Sequence, residues 1–386
     1  MIHILYLLLI FGCCAILAPC ALLQVSTSEG KPSLSSWLVG LVIALCNLLI
    51  LPICIGTYVS TVVKVIAIFL YGWLATFKSI GFVIHRGPLC SCKGNLAHFI
   101  LVYNLPITPV WKIVHSKSGN ARQHESKEHS VFDRFLQLGA KVMLLLCVTG
   151  ISARIEKYCS DFPGYSSYYT YIPLHIQFLA EFCDALALYA FIGVIMNISS
   201  FLLQCLPCGM SIKTIAPHYD APWLSHSITD FWSSRWNLNT GYTLRFLVYD
   251  PICESQLVAP VVMAQKRPGR ARRALAMCTA FCASGVMHEM FIYHMRYRIS
   301  GYWLAYFAVQ GPLILLVDEI LGLKKLAARN IMLARLLTLS LQLGVAHVLF
   351  FPDIVRMGIP VEIHANVRSI FRLMLPNAIY QMVYAV

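Results

Sequence analysis

The chain is poor in charge. Only 12% of its 386 residues are Asp, Glu, Lys or Arg, about half the share of a soluble globular domain. That scarcity excludes an ordinary water-soluble enzyme and a charged, disordered tail. Acidic residues are scarcer still, 17 against 30 basic ones, for a formal charge of +13. No internal repeat is visible, and the 15 cysteines follow no regular spacing, which argues against a disulfide framework. Many of them, such as Cys13, Cys14, Cys278 and Cys282, sit inside apolar runs, where a free thiol behaves as a small hydrophobe. Apolar residues are what the chain has in plenty, at 58% with a mean hydropathy of +0.69. These proportions describe an integral membrane protein.

A helix needs about 20 apolar residues to cross the hydrocarbon layer. Runs near 2–23, 37–57, 60–84, 137–153, 171–197, 273–295, 301–321, 336–352 and 366–384 meet or approach that length. They predict an all-α, polytopic fold of about eight to nine transmembrane helices. The run at 137–153 is short, and the last is interrupted by Arg368, Arg372 and Pro376. Stretches near 96–105 and 242–264 read as re-entrant or interfacial. The first run lacks a basic leader and is followed by further spans, so it is expected to be retained rather than cleaved. The whole of 1–386 reads as a single membrane-embedded domain, with 1–60 as poorly defined N-terminal spans.

Simple alternation through the spans tests this map. With 78–134 on the cytosolic side, segments 78–134, 198–273 and 322–335 together carry 20 basic residues and the opposite side carries six. That asymmetry is what the positive-inside rule demands. The net charge is therefore mostly orientation, and no nucleic-acid partner is needed. The run from Lys266 to Arg273 is most economically a cytosolic helix flank, though it also suits anionic lipid or a phosphorylated substrate.

Polar groups at membrane depth are expensive and face a cavity or a partner. In the fifth run, Glu181 and Asp184 follow His175 at helical spacing, which fits a water-lined pocket and a structural pairing equally well. In the sixth run, His288 shares a face with Phe281, Ser284, Gly285, Ile292 and Met295. The small residues there leave room for a substrate chain or for a neighbouring helix. A metal is rejected. His288 and His294 are six residues apart, so their imidazoles diverge around a helix. Neither Cys90 with Cys92 nor Cys205 with Cys208 has a second pair to close a zinc site.

The third place is the polar stretch from Asp220 to Tyr242, which holds Trp223, Trp232 and Trp236. An interfacial aromatic belt accounts for tryptophans. Yet Thr229 and Asp230 suit helix N-caps, and Arg235 falls where it can pair with Asp230. Paired charges and aromatics would hold the amide of Asn237 rigidly at the membrane edge.

The stretch Ser227-Ile-Thr-Asp-Phe-Trp-Ser-Ser-Arg-Trp-Asn237, followed by Ser284-Gly-Val-Met-His-Glu289, resembles the membrane-bound O-acyltransferase (MBOAT) superfamily. Within it the likeness is to the plant-type wax synthase branch, which shows Asp-Phe-Trp-x-x-Arg-Trp-Asn before its His-Glu helix. Trp73 to Lys78 before Gly87-Pro88, Gln310-Gly311 before Asp318-Glu319, and Leu349 to Pro352 are similar to further blocks of that branch. Where the branch often has Gly-Arg after Phe-Trp, this chain has Ser233-Ser234, which puts the local loop geometry in question.

The resemblance implies transfer of a fatty acyl group from acyl-CoA to the hydroxyl of a long-chain alcohol, giving a wax ester at the endoplasmic reticulum. Acyl-CoA would be a co-substrate, and no bound cofactor is expected. His288 and Asn237, within the expected catalytic region 198–295, would match the family's catalytic pair. Asp230, Trp232, Arg235, Trp236, Ser284, Glu289 and Gln310 would surround the substrate, with Glu289 orienting or packing. A neutral imidazole suits removal of a hydroxyl proton near neutral pH, and an amide N–H suits a developing oxyanion. Arg235, Arg245 and Lys266 are candidates for CoA phosphates. Sterol or diacylglycerol acceptors, or an acetyl donor, use the same chemistry. The alternatives from other classes are a proton-coupled transporter using His288, Glu181 and Asp184, and a silent scaffold. Against the transporter, the sequence shows no inverted repeats and no paired broken helices.

Overall fold

Apolar runs that cannot expose backbone to lipid must close their hydrogen bonds internally, and nearly all of them here are helices. The computed structural model describes residues 2–25, 32–56, 59–109, 131–160, 172–205, 215–260 and 268–384. In chain order the first apolar helix is α1 (Leu9–Gln24), followed by α2 (Leu34–Ile55) and α3 (Thr61–Val83). A short helix α4 (Leu96–Asn104) precedes α5 (Phe132–Cys159) and α6 (Leu174–Leu203). The polar segment forms α7 (228–235) and α8 (238–254). Then come α9 (Arg270–Arg296), α10 (Tyr302–Ile320), α11 (Leu323–Arg329) and α12 (Ile331–Leu349). Three shorter helices, α13 (Phe351–Arg356), α14 (Ile359–Met374) and α15 (Asn377–Tyr384), close the chain. Among the described residues, seven helices are long and apolar enough to cross a membrane: α2, α3, α5, α6, α9, α10 and α12. The protein is an integral, multi-pass, all-α membrane protein.

Local chemistry sets the boundaries. Ser33, Ser60, Asn95 and Asn330 each accept a backbone N–H in the first turn of α2, α3, α4 and α12, satisfying donors that a helix start leaves orphaned. Three interior prolines, Pro19, Pro52 and Pro251, each follow a widened π-type turn, at Cys13–Leu17, Cys46–Ile50 and Arg245–Tyr249. Proline has no N–H and crowds the carbonyl one turn back, and the wider turn absorbs both defects.

Two expected spans differ from simple hydropathy. The last, at 366–384, is divided: α14 stops at Leu375, which is extended (ψ 146°), and α15 begins after Pro376. The residue before a proline is forced out of helical geometry. The short run at 137–153, by contrast, belongs to the much longer α5, which runs along α6 over a core of Leu145, Leu146, Val148, Cys183, Ala187 and Ala190.

Three basic residues counted toward the cytosolic flank, Lys78, Arg86 and Arg134, are buried instead. Lys78 donates at 2.6 Å to the carbonyls of Val102 and Leu105, closing the C-terminal end of α4. Arg86 pairs with Glu254 at 2.6 Å and donates to the carbonyls of Gln256 and Leu257. It thereby ties the turn after α3 to the end of α8.

Helices α9 and α10 approach closely through two glycines. A Cβ on Gly285 would lie 2.9 Å from Leu304 Cα, and one on Gly311 would lie 2.7 Å from Cys278 Sγ. In lipid, where apolar surfaces gain nothing by association alone, such close van der Waals contact holds helices together. The partners of that hairpin build the central core from Ile68, Phe291, Ile292, Trp303, Tyr306 and Phe307. His288 stands at its edge.

Candidate functional site

His288 is half-buried on α9 and enclosed by rings from two other helices. Its imidazole stacks on Phe307 at 4.0 Å between centroids, with Trp73 at 4.9 Å and Trp303 at 5.4 Å. One hydrogen bond orients it, from Nδ1 to the carbonyl oxygen of Ser284, one turn earlier, at 2.7 Å. A carbonyl oxygen only accepts, so Nδ1 carries the proton and Nε2 presents its lone pair. Among the described residues Nε2 has no hydrogen-bond partner. The space beside Gly285, open from sequence to a substrate or a helix, is filled by Leu304 of α10. Ser284 is buried and contributes its carbonyl to the site.

Glu289 does not meet the imidazole. Its carboxylate accepts the backbone N–H groups of Ser300 (3.0 Å), Trp303 (2.9 Å) and Leu304 (3.2 Å). These are orphan donors at the start of α10, and a carboxylate there also complements the helix dipole. Glu289 thereby anchors the turn that sets Trp303 and Phe307 against His288.

The polar loop is tied to this core through Trp232. Its indole N–H donates to Gln310 Oε1 at 3.1 Å, an oxygen that also accepts from Gln342 Nε2 at 3.1 Å. Gln310 is fully buried. The Trp232 ring meets Phe281 at 5.7 Å and Phe307 at 5.8 Å, so Phe307 lies between Trp232 and His288. Asp318, on the far end of α10, accepts the N–H groups of Ile228 (3.1 Å) and Thr229 (2.7 Å) and the Thr229 hydroxyl (2.6 Å). It caps α7 as Glu289 caps α10.

The pairing suggested by the spacing of Asp230 and Arg235 is present, at 2.7 Å, and Asp230 also meets His226 Nδ1 at 2.8 Å. Arg235 donates further to the carbonyl of Asp220 at 3.1 Å, so its guanidinium is engaged within the loop. Trp236 stacks on Phe231 at 5.5 Å. Asn237 follows in the left-handed region (φ 38°) and caps α8, its Oδ1 accepting the Thr240 N–H at 3.4 Å. An N-cap side chain must turn its oxygen toward the helix, which leaves the amide NH2 facing away as a donor. Among the described residues no hydrogen bond joins Asn237 to His288; the connection runs through Trp232 and Phe307. Arg245 is largely exposed beside Asp250 at 3.5 Å, and Lys266 lies outside the described residues.

Three further acids at membrane depth, Glu181, Asp184 and Glu156, are paired. Glu181 meets His347 Nδ1 of α12 at 2.9 Å, and Asp184 lies 3.4 Å from His364 Nε2 of α14. Glu156 reaches Arg368 at 3.0 Å. Pairing, rather than an open pocket, is what the structure shows for Glu181. His175 is exposed. Cys90 and Cys92 donate to the carbonyls of Arg86 and Pro88, and Cys208 lies outside the described residues.

Residues 215–309, which contain α7, α8, α9 and both Asn237 and His288, match the family described as Membrane bound O-acyl transferase family. Over that stretch the chain is similar to that family. It is similar to the long-chain-alcohol O-fatty-acyltransferase of Simmondsia chinensis, at 26% identity over 75% of this chain and 74% of the relative. It is also similar to the probable long-chain-alcohol O-fatty-acyltransferase 8 of Arabidopsis thaliana, at 28% identity over 80% and 81%. A further Arabidopsis thaliana relative, acyl-CoA–sterol O-acyltransferase 1, is 27% identical over 64% and 62%. Sequence reasoning passed over two groups that shape this site, Trp303 and Phe307, which are ordinary core aromatics until the chain folds. Asp318 was singled out only within a block of the resemblance, and its capping of α7 shows only in the fold.

Proposed function

We propose that this protein is an acyl-CoA-dependent O-acyltransferase that joins a fatty acyl group to a long-chain alcohol, forming a wax ester and free CoA. One observation carries the assignment of His288: its Nδ1–H is committed to a backbone carbonyl, so Nε2 is held as an unprotonated base among aromatic rings. The alcohol gives its proton to Nε2 as its oxygen attacks the thioester carbon. The tetrahedral oxyanion then collapses, the carbon–sulfur bond breaks, and the thiolate of CoA leaves with the proton returned by the imidazolium. A base so placed contributes about 10²–10⁴ in rate. The rings of Trp73 and Phe307 favour the transient cation. The Asn237 amide is the donor assigned to the oxyanion, a role worth about 10²–10³. No side-chain nucleophile is needed, because the thiolate is a good leaving group.

In this reading residues 1–386 act as one membrane-embedded unit in the endoplasmic reticulum, with the Asn237 loop on the cytosolic, basic side where acyl-CoA is supplied. The similarity to a sterol acyltransferase keeps a sterol acceptor as the second reading. The test offers labelled palmitoyl-CoA or acetyl-CoA with a fatty alcohol, a sterol or diacylglycerol to microsomes lacking neutral-lipid synthesis. Ester from palmitoyl-CoA and the fatty alcohol, lost in His288→Ala at equal abundance, is the expected result. Preference for a sterol moves the acceptor, and no ester from any pair with folded protein overturns the reading.

A further inference from the structure

A second cluster lies behind the Asn237 loop, where α5 and α6 meet the segment leading into α7. Arg134 and Lys141 are seven residues apart on α5 and therefore share one stripe of that helix. Gly193, Asn197 and Ser200 follow one another at offsets of four and three on α6. The Lys141 stem lies over Gly193, where a Cβ would come within 2.6 Å of its Cδ. A side chain at 193 would displace the lysine from this path. Its ammonium reaches Asn197 Oδ1 at 3.5 Å and sits over the rings of Tyr189 (5.5 Å) and Tyr219 (5.7 Å).

What surrounds these cations is unusual. Among the described residues, no carboxylate is within ion-pair distance of Lys141 or Arg134. Three buried polar atoms in the cluster have no hydrogen-bond partner: Arg134 Nε, Asn197 Nδ2 and the Tyr219 hydroxyl. All three can donate, and two of them can do nothing else. Arg134 and Asn197 are themselves more than nine-tenths buried. The imidazole of the cluster, His218, bonds Ser200 Oγ through Nε2 at 2.8 Å and a backbone carbonyl, that of Met196, on its other side. Burial and the fields of Lys141 and Arg134 push its pKa down to about 3, so the cluster is too positive to accept another proton. Unpaired positive charge and unmet donors at membrane depth call for an anion.

We propose that Arg134, Lys141, Asn197 and Tyr219 form a phosphate-binding site, taking the phosphate of CoA or of an anionic phospholipid. Two positive charges and donors from three chain segments match the charge and the several acceptor oxygens of that group. The site is fastened to the catalytic loop. The Leu238 N–H donates to the His218 carbonyl at 3.0 Å, the Asp220 N–H to the Arg235 carbonyl at 3.0 Å, and the Tyr219 ring meets Trp236 at 5.4 Å. An anion bound there orders the segment from which Asn237 projects.

The CoA arm of this proposal rests on the acyl-transfer reading, and the lipid arm does not. The test is therefore binding rather than turnover. Full-length protein in a neutral sugar detergent is heated with CoA, with pantetheine as its phosphate-free counterpart, with phosphatidic acid, and with diacylglycerol as the control for that lipid. At least one of CoA and phosphatidic acid is expected to raise the Tm saturably, while neither phosphate-free compound does so. Whichever probe acts names the source of the phosphate. Lys141→Met is expected to weaken that binding about tenfold or more without lowering the ligand-free Tm, because an unpaired buried cation has been removed. Tyr219→Phe, which keeps the ring and removes only the hydroxyl, weakens it several-fold and serves if Lys141→Met does not fold. No shift with either probe, or unchanged affinity in the folded variants, overturns the site, whatever the esterification assay shows.

Discussion

His288 and His347 invite comparison because their rings are packed alike and their partners are not. Each imidazole stacks on a phenylalanine, His288 on Phe307 at 4.0 Å and His347 on Phe178 at 4.4 Å. His347 then faces the Glu181 carboxylate at 2.9 Å, whereas His288 faces a backbone carbonyl at 2.7 Å. A carboxylate partner makes a histidine one half of a hydrogen-bonded tie between two helices, and removing either half leaves the other unsatisfied. A carbonyl partner fixes ring orientation and tautomer without adding charge, and it leaves a basic lone pair at the other nitrogen. The acid beside His288 in sequence, Glu289, is drawn off to cap α10. The same residue type therefore serves as a tie in one region and, in the proposed mechanism, as a base in the other.

The largest effect expected from this contrast is kinetic. His288→Gln should lose about 10²–10⁴ in ester formation with an unchanged Tm, and His347→Gln should lower Tm while keeping activity per folded molecule. A reversal of the two phenotypes would break the comparison. Next, Glu181→Leu removes an acceptor from His347 and should cost about 1.5–3 kcal/mol in unfolding free energy, measured by denaturant titration in detergent, with kcat retained.

Glu289 sharpens the same contrast. Loss of a helix cap costs about 0.5–2 kcal/mol, so Glu289→Ala should destabilise by that amount. It should also lower kcat more than it raises KM, because Trp303 and Phe307 shift against the base. Glu289→Gln keeps one acceptor oxygen and should recover most of both; a catalytic carboxylate would not be rescued in this way.

The smallest effect concerns pH. His218 is held at about 3 by burial and by Lys141 and Arg134, while an unfolded histidine titrates near 6.5. The unfolded state thus takes up the proton first, and the stability from this group is complete above 6.5 and declines as pH falls toward 3. One pH unit below 6.5 the loss is about 1 kcal/mol. His218→Gln should flatten the fall of Tm over that window, and an unchanged slope would show that His218 is not held neutral.

Much of this was legible from the chain. Among the described residues, hydropathy located every helix long enough to span, since a lipid-facing helix must be apolar along its whole length. The blocks around Asn237 and His288 marked the loop and the helix that the family match covers. Other features needed three dimensions. Lys78 and Arg86 look like topogenic charge in sequence, yet both are buried against carbonyls, and nothing local distinguishes a flank from a cap. Glu289 stands next to His288 in the chain but points about 100° away around a helix.

The sequence by itself determined that this is an all-α membrane protein with a basic face, because composition and apolar run length are sums over residues that need no partner. It also determined the spacing that put an amide on a polar loop and an imidazole on a helix. Only the tertiary structure decided that Leu304 fills the space beside Gly285, that Phe307 and Trp73 enclose His288, and that a carbonyl rather than a carboxylate orients it. The tautomer, and with it the chemistry, depends on which group from one turn earlier or from another helix arrives within 3 Å. Such contacts are set by helix packing, where close approach is governed by shape at positions far apart in the chain.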